Sequence, residues 1–567
     1  MMKKITLLLS CLCLFIQAMA QTPSFIWGKQ TGGFGGDEGI ALAVDAAGNL
    51  YYTGVFSGTV DFDPGPGIVN LTSAGSNDVY VAKMNSSGQL LWAKGFGGAG
   101  LDVGSNITAD ALGNVYAAGW YSGTADFNPG QGVDTITSAG SDDIFIVRFD
   151  SSGNFAWVKS MGGISQDQPT AITTDNSGNI YLTGLYKGDL FIDSAGVSKK
   201  ITSIGDYDAL VAKFSSSGQL QWANTQGGPL TDYAYDIKIT ASGIYTLASF
   251  NGKADMDPTG TVFNLTSAGG LDIGFTKLDN DGNFIWARQI GGSFNEEGFA
   301  FSLDKSENIY LTGYFKGTVD FDPGNGLSNL TAQSGNDEMF IIKLDSAFNL
   351  QWAKKQGGGT NSYPMAITVD DKGNVYSTGF FSGTVDFDPS SKVYNLTGDN
   401  FDIYISILNA AGDLAWAGGF GNQQGDWGRD IAVDAESNLY ALGLFYGGTI
   451  DFDPTSGVSN LTSAGDNDIF LIKLAPGSVL GVSDPLVNNT AVSVYPNPAS
   501  SAFTVALAQP YQNVRVEVYN SLGVMVFTSP VAKSYLTVNV SEYLDGLYSI
   551  RVVDNRGIIA VQKMIKQ

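Results

Sequence analysis

Residues 157–167 read WVKSMGGISQD, and a phrase of this kind, opened by a tryptophan, recurs through most of the chain. It occurs seven times, at intervals of 65, 65, 65, 64, 66 and 64 residues. The tryptophans are Trp27, Trp92, Trp157, Trp222, Trp286, Trp352 and Trp416. A fixed period of this length is typical of repeat architectures. Residues 21–475 are therefore interpreted as seven repeats of about 65 residues.

Each repeat has the pattern of four β-strands. In the second repeat, strands are predicted over residues 106–110, 115–120, 143–149 and 155–159, where strong β-formers alternate between turn clusters. In the turn at Asp110–Asn114, the aspartate can accept backbone hydrogen bonds and the glycine can take a positive φ. Four strands in each of seven repeats favour an all-β, seven-bladed β-propeller. An open solenoid is the alternative.

The two ends of the repeat region favour a closed ring. Residues 25–30 supply one tryptophan-bearing strand before the first full repeat. The last repeat, which ends at residues 469–474, lacks that strand. The N-terminal strand can therefore complete the last blade, which closes the ring and covers both sheet edges.

Three further phrases belong to the repeat. They are Gly-Asn-Val-Tyr at residues 113–116, Asp-Ile-Phe-Ile at residues 143–146, and the pair Gly162-Gly163 with Asp167. Together with the period, they resemble the SBBP family of secreted bacterial β-propeller repeats. The resemblance covers residues 25–475. It implies the propeller architecture and no particular activity.

Residues 1–20 have the features of a signal peptide. Two lysines precede an apolar run over residues 5–16, and residues 18–20 form a small-x-small cleavage site. The mature chain should begin at Gln21, and a lipoprotein signal ending at Cys11 is the alternative. The apolar run is too short to span a bilayer, and no later stretch reaches about 18 apolar residues. We expect no transmembrane segment.

The composition excludes several reaction types from the mature chain. The chain has no histidine, and both cysteines, Cys11 and Cys13, lie in the predicted signal peptide. Imidazole and thiolate metal sites and histidine-assisted nucleophiles are therefore excluded. The signal holds two of the 30 basic residues and none of the 55 acidic ones, so the mature net charge is 28 − 55 = −27. Such a chain repels phosphate backbones, and we expect no nucleic-acid partner.

The C-terminal segment differs from the repeats. Beyond a linker predicted at residues 476–491, seven short alternating runs predict a small Ig-like β-sandwich at residues 492–567. Its landmark residues are Tyr495, Pro496, Asn497, Pro498, Gly546, Tyr548 and Lys563. They resemble the type A C-terminal sorting domain of the bacterial type IX secretion system. The resemblance implies the secretion machinery as a partner and a secreted or surface-attached product. An unrelated accessory sandwich is the alternative.

The phrase Asp-Phe-Asp-Pro, or a close variant, is the first candidate site. Alternate residues of an extended segment share a face, so each phrase places two carboxylates side by side. A calcium ion would offset their repulsion and suits oxygen ligands. The candidate calcium ligands are Asp61, Asp63, Asp255, Asp257, Asp320, Asp322, Asp386, Asp388, Asp451 and Asp453. The alternative is a capped turn with solvated aspartates and a proline that ends the strand.

A second set of acidic residues follows the repeat tryptophans by ten positions. In the usual propeller path, the loops from the fourth strand to the next blade and from the second strand to the third open on one face. We expect a ligand face there, formed by Asp37, Asp102, Asp167, Asp232, Glu296 and Asp426, with Trp427 as a candidate sugar platform. Ser362 is the exception in the acidic set. The alternative is a solvated acidic rim.

Two classes of function fit these features. The first is a non-catalytic secreted or surface module that binds a glycan, a matrix or a protein. The second is a propeller-scaffold polysaccharide lyase or glycosidase that uses Asp with Tyr or Lys. Near-identical phrases in almost every repeat favour the first, because catalysis needs one asymmetric constellation. A single cluster of non-repeating polar residues at the channel mouth would discriminate the two.

We expect the exported protein to begin at Gln21 and to end near residue 480, because the signal peptide and the sorting domain are removed in transit. Intact-mass measurement of protein from the host's medium or surface reports both ends. A full-length periplasmic species as the sole product would contradict the sorting assignment.

Overall fold

The computed structural model describes residues 22–194, 197–333, 335–359, 361–477, 492–496, 498–507, 514–520, 525–531, 534–543, 546–554 and 557–566. The chain divides into two compact units. The larger spans Thr22–Pro476, and the smaller includes the segment from Gly477 onward. The predicted signal peptide and nearly all of the predicted linker lie outside the described residues. Within the described ranges every element is a β-strand, and no helix there is long and apolar enough to cross a membrane.

The larger unit is a β-propeller. Its described strands pair antiparallel in seven groups of four, which we call blades 1 to 7; four of the groups are separate sheets, and short pairings between neighbouring groups join the other three into one 12-stranded sheet. Blade 1 contains β2 (Glu38–Val44), β3 (Leu50–Phe56), β6 (Asp78–Met84) and β7 (Leu90–Gly98). Blade 2 contains β8 (Asp102–Ala109), β9 (Val115–Asp126), β10 (Thr135–Phe149) and β11 (Phe155–Gly162). Blade 3 contains β12 (Asp167–Thr174), β13 (Ile180–Ser194), β14 (Val197–Phe214) and β15 (Leu220–Gln226). Blade 4 contains β16 (Asp232–Thr240), β17 (Gly243–Asp255), β18 (Asn264–Leu278) and β19 (Phe284–Ile290). Blade 5 contains β20 (Glu297–Leu303), β21 (Ile309–Phe315), β24 (Glu338–Leu344) and β25 (Leu350–Gln356). Blade 6 contains β26 (Asn361–Val369), β27 (Val375–Asp386), β28 (Asn395–Leu408) and β29 (Leu414–Phe420). Blade 7 contains β30 (Asp426–Val433), β31 (Leu439–Tyr446), β34 (Asn467–Ala475) and β1 (Ser24–Thr31).

Three blades carry a separate small hairpin between their second and third strands. The hairpins are β4 (Thr59–Asp61) with β5 (Asn70–Thr72), β22 (Thr318–Asp320) with β23 (Asn329–Thr331), and β32 (Thr449–Asp451) with β33 (Asn460–Thr462). In the other blades the long second and third strands continue into the corresponding region, as β9 and β10 do in blade 2.

The ring is closed by the first strand of the unit. β1 pairs antiparallel with β34, with Trp27 opposite Lys473, so blade 7 is built from both ends of the propeller. This confirms the prediction that the N-terminal strand completes the last blade. The first strands of all seven blades surround one central channel of about 390 Å³.

The second and third strands of a blade lie in its middle. All residues of β3 and β6 are buried, because both faces of the sheet pack against neighbouring blades. The turn after the first strand forms as predicted: Asp45 Oδ1 accepts the backbone N–H groups of Ala47 at 2.9 Å and of Asn49 at 2.8 Å. The Tyr51 hydroxyl donates to Asp45 Oδ2 at 2.9 Å, which ties the turn to the second strand.

The smaller unit contains the predicted β-sandwich. Its strands are β35 (Val492–Tyr495), β36 (Ala502–Leu507), β37 (Arg515–Tyr519), β38 (Met525–Pro530), β39 (Tyr535–Asn539), β40 (Gly546–Asp554) and β41 (Gly557–Lys566). They form a three-stranded sheet, β35-β36-β39, and a four-stranded sheet, β38-β37-β40-β41. Both sheets contribute to one core, in which Phe503, Val516 and Ile550 are fully buried.

The acidic set expected on the ligand face is buried and bonded to backbone. Asp37 Oδ2 accepts the Gly33 N–H at 2.7 Å, and Asp37 Oδ1 accepts the Ser57 N–H at 3.0 Å. One side chain thus joins the loop that enters the blade to the loop that leaves its second strand. The same arrangement, in whole or in part, is found at Asp102, Asp167, Asp232, Glu296 and Asp426. A ligand role for these residues stays a prediction.

A second acid, from the third strand of the preceding blade, lies beside each of these carboxyl groups. A Cβ atom on Gly97 would meet Asp102 Oδ2 and Asp78 Cγ, each at 2.7 Å, so the two side chains enclose the glycine. The acids of this second set are Asp78, Asp143, Asp208, Asp272, Glu338, Asp402 and Asp468. Ser362 replaces the first acid in blade 6, and beside it Glu338 of blade 5 forms an ion pair with Lys355 at 2.9 Å.

Burial of these pairs makes their charged forms unfavourable. Desolvation, with the neighbouring Asp78 adding to it, raises the pKa of Asp102 to about 7. Desolvation likewise raises the pKa of Asp37, Asp167, Asp232 and Glu296 to about 7. Each raised pKa means that the folded chain binds more protons than the unfolded chain between about pH 4 and pH 7. Their contribution to the free energy of unfolding is therefore present at acidic pH and is lost as the pH rises through 7.

We expect Asp102→Asn to leave stability nearly unchanged at pH 4 and to raise the free energy of unfolding by on the order of 1 kcal/mol at pH 8. The amide keeps an acceptor for the Gly98 N–H and removes the buried charge. Thermal or urea unfolding from pH 4 to pH 8 at constant ionic strength measures the difference. Asp150→Asn is the control of opposite sign, because donation from the Asn154 side chain lowers the pKa of Asp150. A gain in Asp102→Asn that does not grow with pH would contradict the expectation.

Candidate functional site

The Asp-Phe-Asp-Pro phrase acts as a capped turn. Asp61 Oδ1 accepts the N–H groups of Asp63 at 3.1 Å and of Val69 at 2.8 Å, and Asp63 Oδ1 accepts the Gly65 N–H at 2.8 Å. Phe62 between them is fully buried and packs on Phe56. The same backbone bonds occur at Asp255 and Asp257, Asp320 and Asp322, Asp386 and Asp388, and Asp451 and Asp453.

The capping role accounts for one oxygen of each carboxylate. In the part of the chain that the structure describes, no group of three or more Asp, Glu, His or Cys side chains has a metal-holding arrangement. Calcium at these phrases therefore stays a prediction, with the carbonyl groups of the adjoining loop as the further ligands it would need.

The blades differ in sequence at the channel mouth. Two positions of the first strand, one and three residues after the buried acid, alternate toward the channel. In blades 1 to 3 they hold Glu38, Ile40, Val103, Ser105, Gln168 and Thr170, and in blades 4 to 7 they hold Tyr233, Tyr235, Glu297, Phe299, Tyr363, Met365, Trp427 and Arg429. The repeat is therefore broken over one half of the mouth.

Seven partly exposed rings form a continuous series along that half, which we call the aromatic arc: Tyr233, Tyr235, Phe299, Tyr314, Tyr363, Phe380 and Trp427. Successive ring centroids lie 6.4, 5.4, 5.6, 5.5, 5.5 and 5.2 Å apart. Tyr314 and Phe380 come from second strands, opposite Glu297 and Tyr363 in register. The arc thus needs strands from four blades, and it crosses from blade 4 to blade 7.

Trp427 lies at the end of the arc, where the sequence analysis placed a candidate sugar platform. Its indole stacks on Phe380 with an interplanar angle of 23°, and the Arg429 guanidinium lies 4.6 Å from the ring centroid. Arg429 also pairs with Glu38 at 3.3 Å, which links blade 7 to blade 1. The indole N–H is buried and has no acceptor among the described residues.

Acidic side chains hold the tyrosines of the arc in place. Glu297 accepts the hydroxyl groups of both Tyr235 and Tyr314. Asp337 accepts the Tyr363 hydroxyl at 3.2 Å. Burial first, and then the nearby Glu297, raises the pKa of Tyr235 and Tyr314 well above the usual value, so both remain phenols that donate hydrogen bonds.

The sequence analysis identified only part of this site. It singled out Trp427 as a candidate sugar platform. It did not find Tyr235, Phe299 or Glu297. Tyr235 and Phe299 differ in type from Ile40, Ser105 and Thr170 at the equivalent positions of blades 1 to 3, whereas the equivalent of Glu297 in blade 1 is Glu38. A comparison of the channel-facing positions repeat by repeat would have shown them.

The landmarks of the smaller unit lie on its strands and turns. Tyr495 ends β35 with 54% of its surface exposed, and Pro496 follows it. Tyr548 is buried in β40 and packs on Tyr543 at 5.3 Å. Gly546 begins β40, and Pro498 follows β35. Lys563 lies in β41 opposite Ser549, and Asn497 lies outside the described residues.

If calcium fills the Asp-Phe-Asp-Pro sites, the melting temperature should rise with millimolar calcium and fall with a chelator, because a ligand that binds only the folded state stabilises it. Asp61→Ala should lower the melting temperature in both conditions through the lost cap and should also reduce the calcium increment. Differential scanning calorimetry and elemental analysis test this. An unchanged melting temperature together with no bound calcium would rule out the calcium hypothesis and leave turn capping as the role of these aspartates.

Two segments of the chain match known families. Residues 493–567 match the secretion system C-terminal sorting domain. Residues 157–191, which include the tryptophan phrase of the third repeat, match the β-propeller repeat.

Three curated relatives share weak similarity over longer stretches. An uncharacterized WD repeat-containing protein of Acanthamoeba polyphaga mimivirus is 23% identical over 511 residues, which cover 76% of this chain and 36% of the relative. The regulatory protein FlaEY of Caulobacter vibrioides is 23% identical over 426 residues, covering 70% and 42%. An endo-acting ulvan lyase of Formosa agariphila is 22% identical over 240 residues, covering 40% and 43%.

The chain thus spans about two fifths of the length of these relatives. The family matches agree with the two units of the structure and with both resemblances found in the sequence. Residues 157–191 are therefore a repeat of the β-propeller family, and residues 493–567 are the sorting domain of a protein exported by type IX secretion to the cell surface or beyond.

Proposed function

We propose that the exported propeller is a non-catalytic binding protein and that its aromatic arc holds an extracellular polysaccharide. The arc carries this proposal, because it is an asymmetric feature on an otherwise repeating ring. Partly exposed aromatic rings stack on the apolar faces of sugars, and the hydroxyl and carboxyl groups beside them can orient the sugar hydroxyls. A matrix component or surface protein at the same site is the broader form of the proposal.

The chemistry at the mouth supports binding more than turnover. A general base works best with a pKa near the working pH. The pKa values of Tyr235 and Tyr314 are raised well above the usual value, so their hydroxyl groups stay protonated at the working pH and are not available as bases. The chain has no histidine, and Cys11 and Cys13 both precede Gln21. Lys238 in the channel is paired with Asp236 at 2.7 Å.

A polysaccharide lyase or glycosidase that uses Asp with Tyr or Lys is the second candidate. The similarity to a protein named as an endo-acting ulvan lyase supports this second candidate. Glu297 with Tyr235 and Tyr314 would be the place for such chemistry, since one carboxylate and two phenols converge there.

We expect the mature protein to be retained on at least one extracellular polysaccharide of a panel, without release of new reducing or unsaturated ends. Trp427→Ala and Tyr235→Ala should each weaken retention by about tenfold, since one stacked ring contributes on the order of 1 kcal/mol. Gln168→Ala is the matched control, because Gln168 occupies in blade 3 the position that Trp427 occupies in blade 7. Affinity electrophoresis measures retention, and thermal unfolding checks that each variant folds.

Two results would count against this proposal. Retention that neither arc variant alters would move binding away from the arc. New chain ends that disappear in Glu297→Gln would make the enzyme the correct alternative.

A further inference from the structure

Resting on the proposed function, we infer that the aromatic arc selects saccharide chains that carry free amino groups. The inference comes from the acids that lie within the arc and from the cations that do not reach them. It concerns the blade 4 to blade 6 portion of the mouth, from Tyr233 to Tyr363.

Glu297 is framed by aromatic rings. Its two carboxylate oxygens accept the hydroxyl groups of Tyr235 and Tyr314, one each. Phe299 fills the space between these tyrosines, with its centroid 5.4 Å from Tyr235 and 5.6 Å from Tyr314. A carboxylate beside three ring surfaces is a favourable environment for an ammonium group, which is attracted by the negative charge and by the faces of the rings.

Asp337 adds a second negative charge to the same wall. It accepts the Tyr363 hydroxyl at 3.2 Å, and the Tyr363 ring lies edge-on to Tyr314 at 5.5 Å. In the ranges that the structure describes, neither Glu297 nor Asp337 forms an ion pair. Two carboxylates therefore share one aromatic wall without a protein cation to balance them.

Three basic residues of this face and of the channel form ion pairs with other acids. Arg429 pairs with Glu38 and covers Trp427 at the far end of the arc. Lys238, deeper in the channel, pairs with Asp236. On the other side, Lys187 pairs with Asp206. Glu297 and Asp337 thus keep their negative charges without an ion-pair partner among the described residues, on a chain whose total is −25.

Charge complementarity then favours one class of saccharide. Chains that carry carboxylate or sulfate groups are repelled by the mouth and by the field of the whole protein. Neutral chains gain only the stacking. Chains with ammonium groups gain stacking together with attraction to Glu297 and Asp337. The extended row of rings suits a succession of sugar rings better than it suits one isolated ammonium group.

The test uses two oligosaccharides of equal length, a glucosamine oligomer and the corresponding N-acetylglucosamine oligomer, titrated into the mature protein near pH 6. They share the pyranose ring and differ in the free amine. We expect the glucosamine oligomer to bind about tenfold or more tightly, with an affinity that falls as salt rises. Glu297→Gln and Asp337→Asn should each reduce that preference, because each lowers the affinity for the glucosamine oligomer more than the affinity for the N-acetylated oligomer.

Asp371→Asn is the charge-matched control. Asp371 is an exposed acid in the turn between the first two strands of blade 6, at the other end of the channel, and it pairs with Lys305 at 2.6 Å. Its neutralisation removes the same net charge and should not alter the preference. An equal effect of Asp371→Asn would assign the preference to the overall field and overturn the local site.

The remaining outcomes separate this inference from the proposed function. Equal affinity for the two oligomers, weakened in Trp427→Ala, would overturn the amine selectivity and leave glycan binding at the arc in place. Binding of neither oligomer, with another polysaccharide retained through Trp427, would do the same. If no saccharide binding depends on the arc, both the amine selectivity and the proposed function are overturned. Oligolysine bound as tightly as the glucosamine oligomer, with the same dependence on Glu297, would assign the site to basic proteins and overturn the saccharide.

Discussion

The ring depends on a carboxyl group that replaces missing backbone partners where one blade passes into the next. The chain has to leave an outer strand, cross the face and begin an inner strand, and no sheet is available there to take its N–H groups. Asp37 and its equivalents accept an N–H from the crossing loop and another from the loop after the second strand. Because an unmatched buried N–H is costly, this single side chain fixes two loops at once. The glycine beside it is needed because the second acid leaves no room for a Cβ atom.

Fixed loops are also what allow the mouth to vary. In six of the seven blades, buried acids fix the loops on this face. The residues at the channel-facing positions are therefore not needed to position these loops. Blades 2 and 3 use them for Val103 and Gln168, and blades 5 and 7 use them for Glu297 and Trp427. A regular scaffold thereby carries one irregular surface, which is the usual way in which a repeat protein acquires a distinct site.

The propeller architecture could be predicted from the sequence because the same strand and turn pattern recurs in seven repeats. The spacing of Trp27 and its equivalents fixed the blade period, and the lone strand at residues 25–30 indicated the closure that β1 and β34 form. The acids were harder to interpret. Asp37 has the same pattern whether it is solvated or buried, and only the bonds to Gly33 and Ser57 distinguish the two. The arc could not be assembled from the sequence, since its members stand on different strands of four blades and meet only through register and ring geometry.

The closure of the ring also sets how the propeller bears mechanical load. Gln30 and Asp468, which are 438 positions apart in the chain, are hydrogen-bonded, and β34 lies between β1 and β31 in the order β1-β34-β31-β30. β34 is also the strand from which the chain continues toward the sorting domain. Without β1 it would be an edge strand, and a pull on the tail could peel it away one hydrogen bond at a time. With β1 in place, tension along β34 has to shear two ladders together.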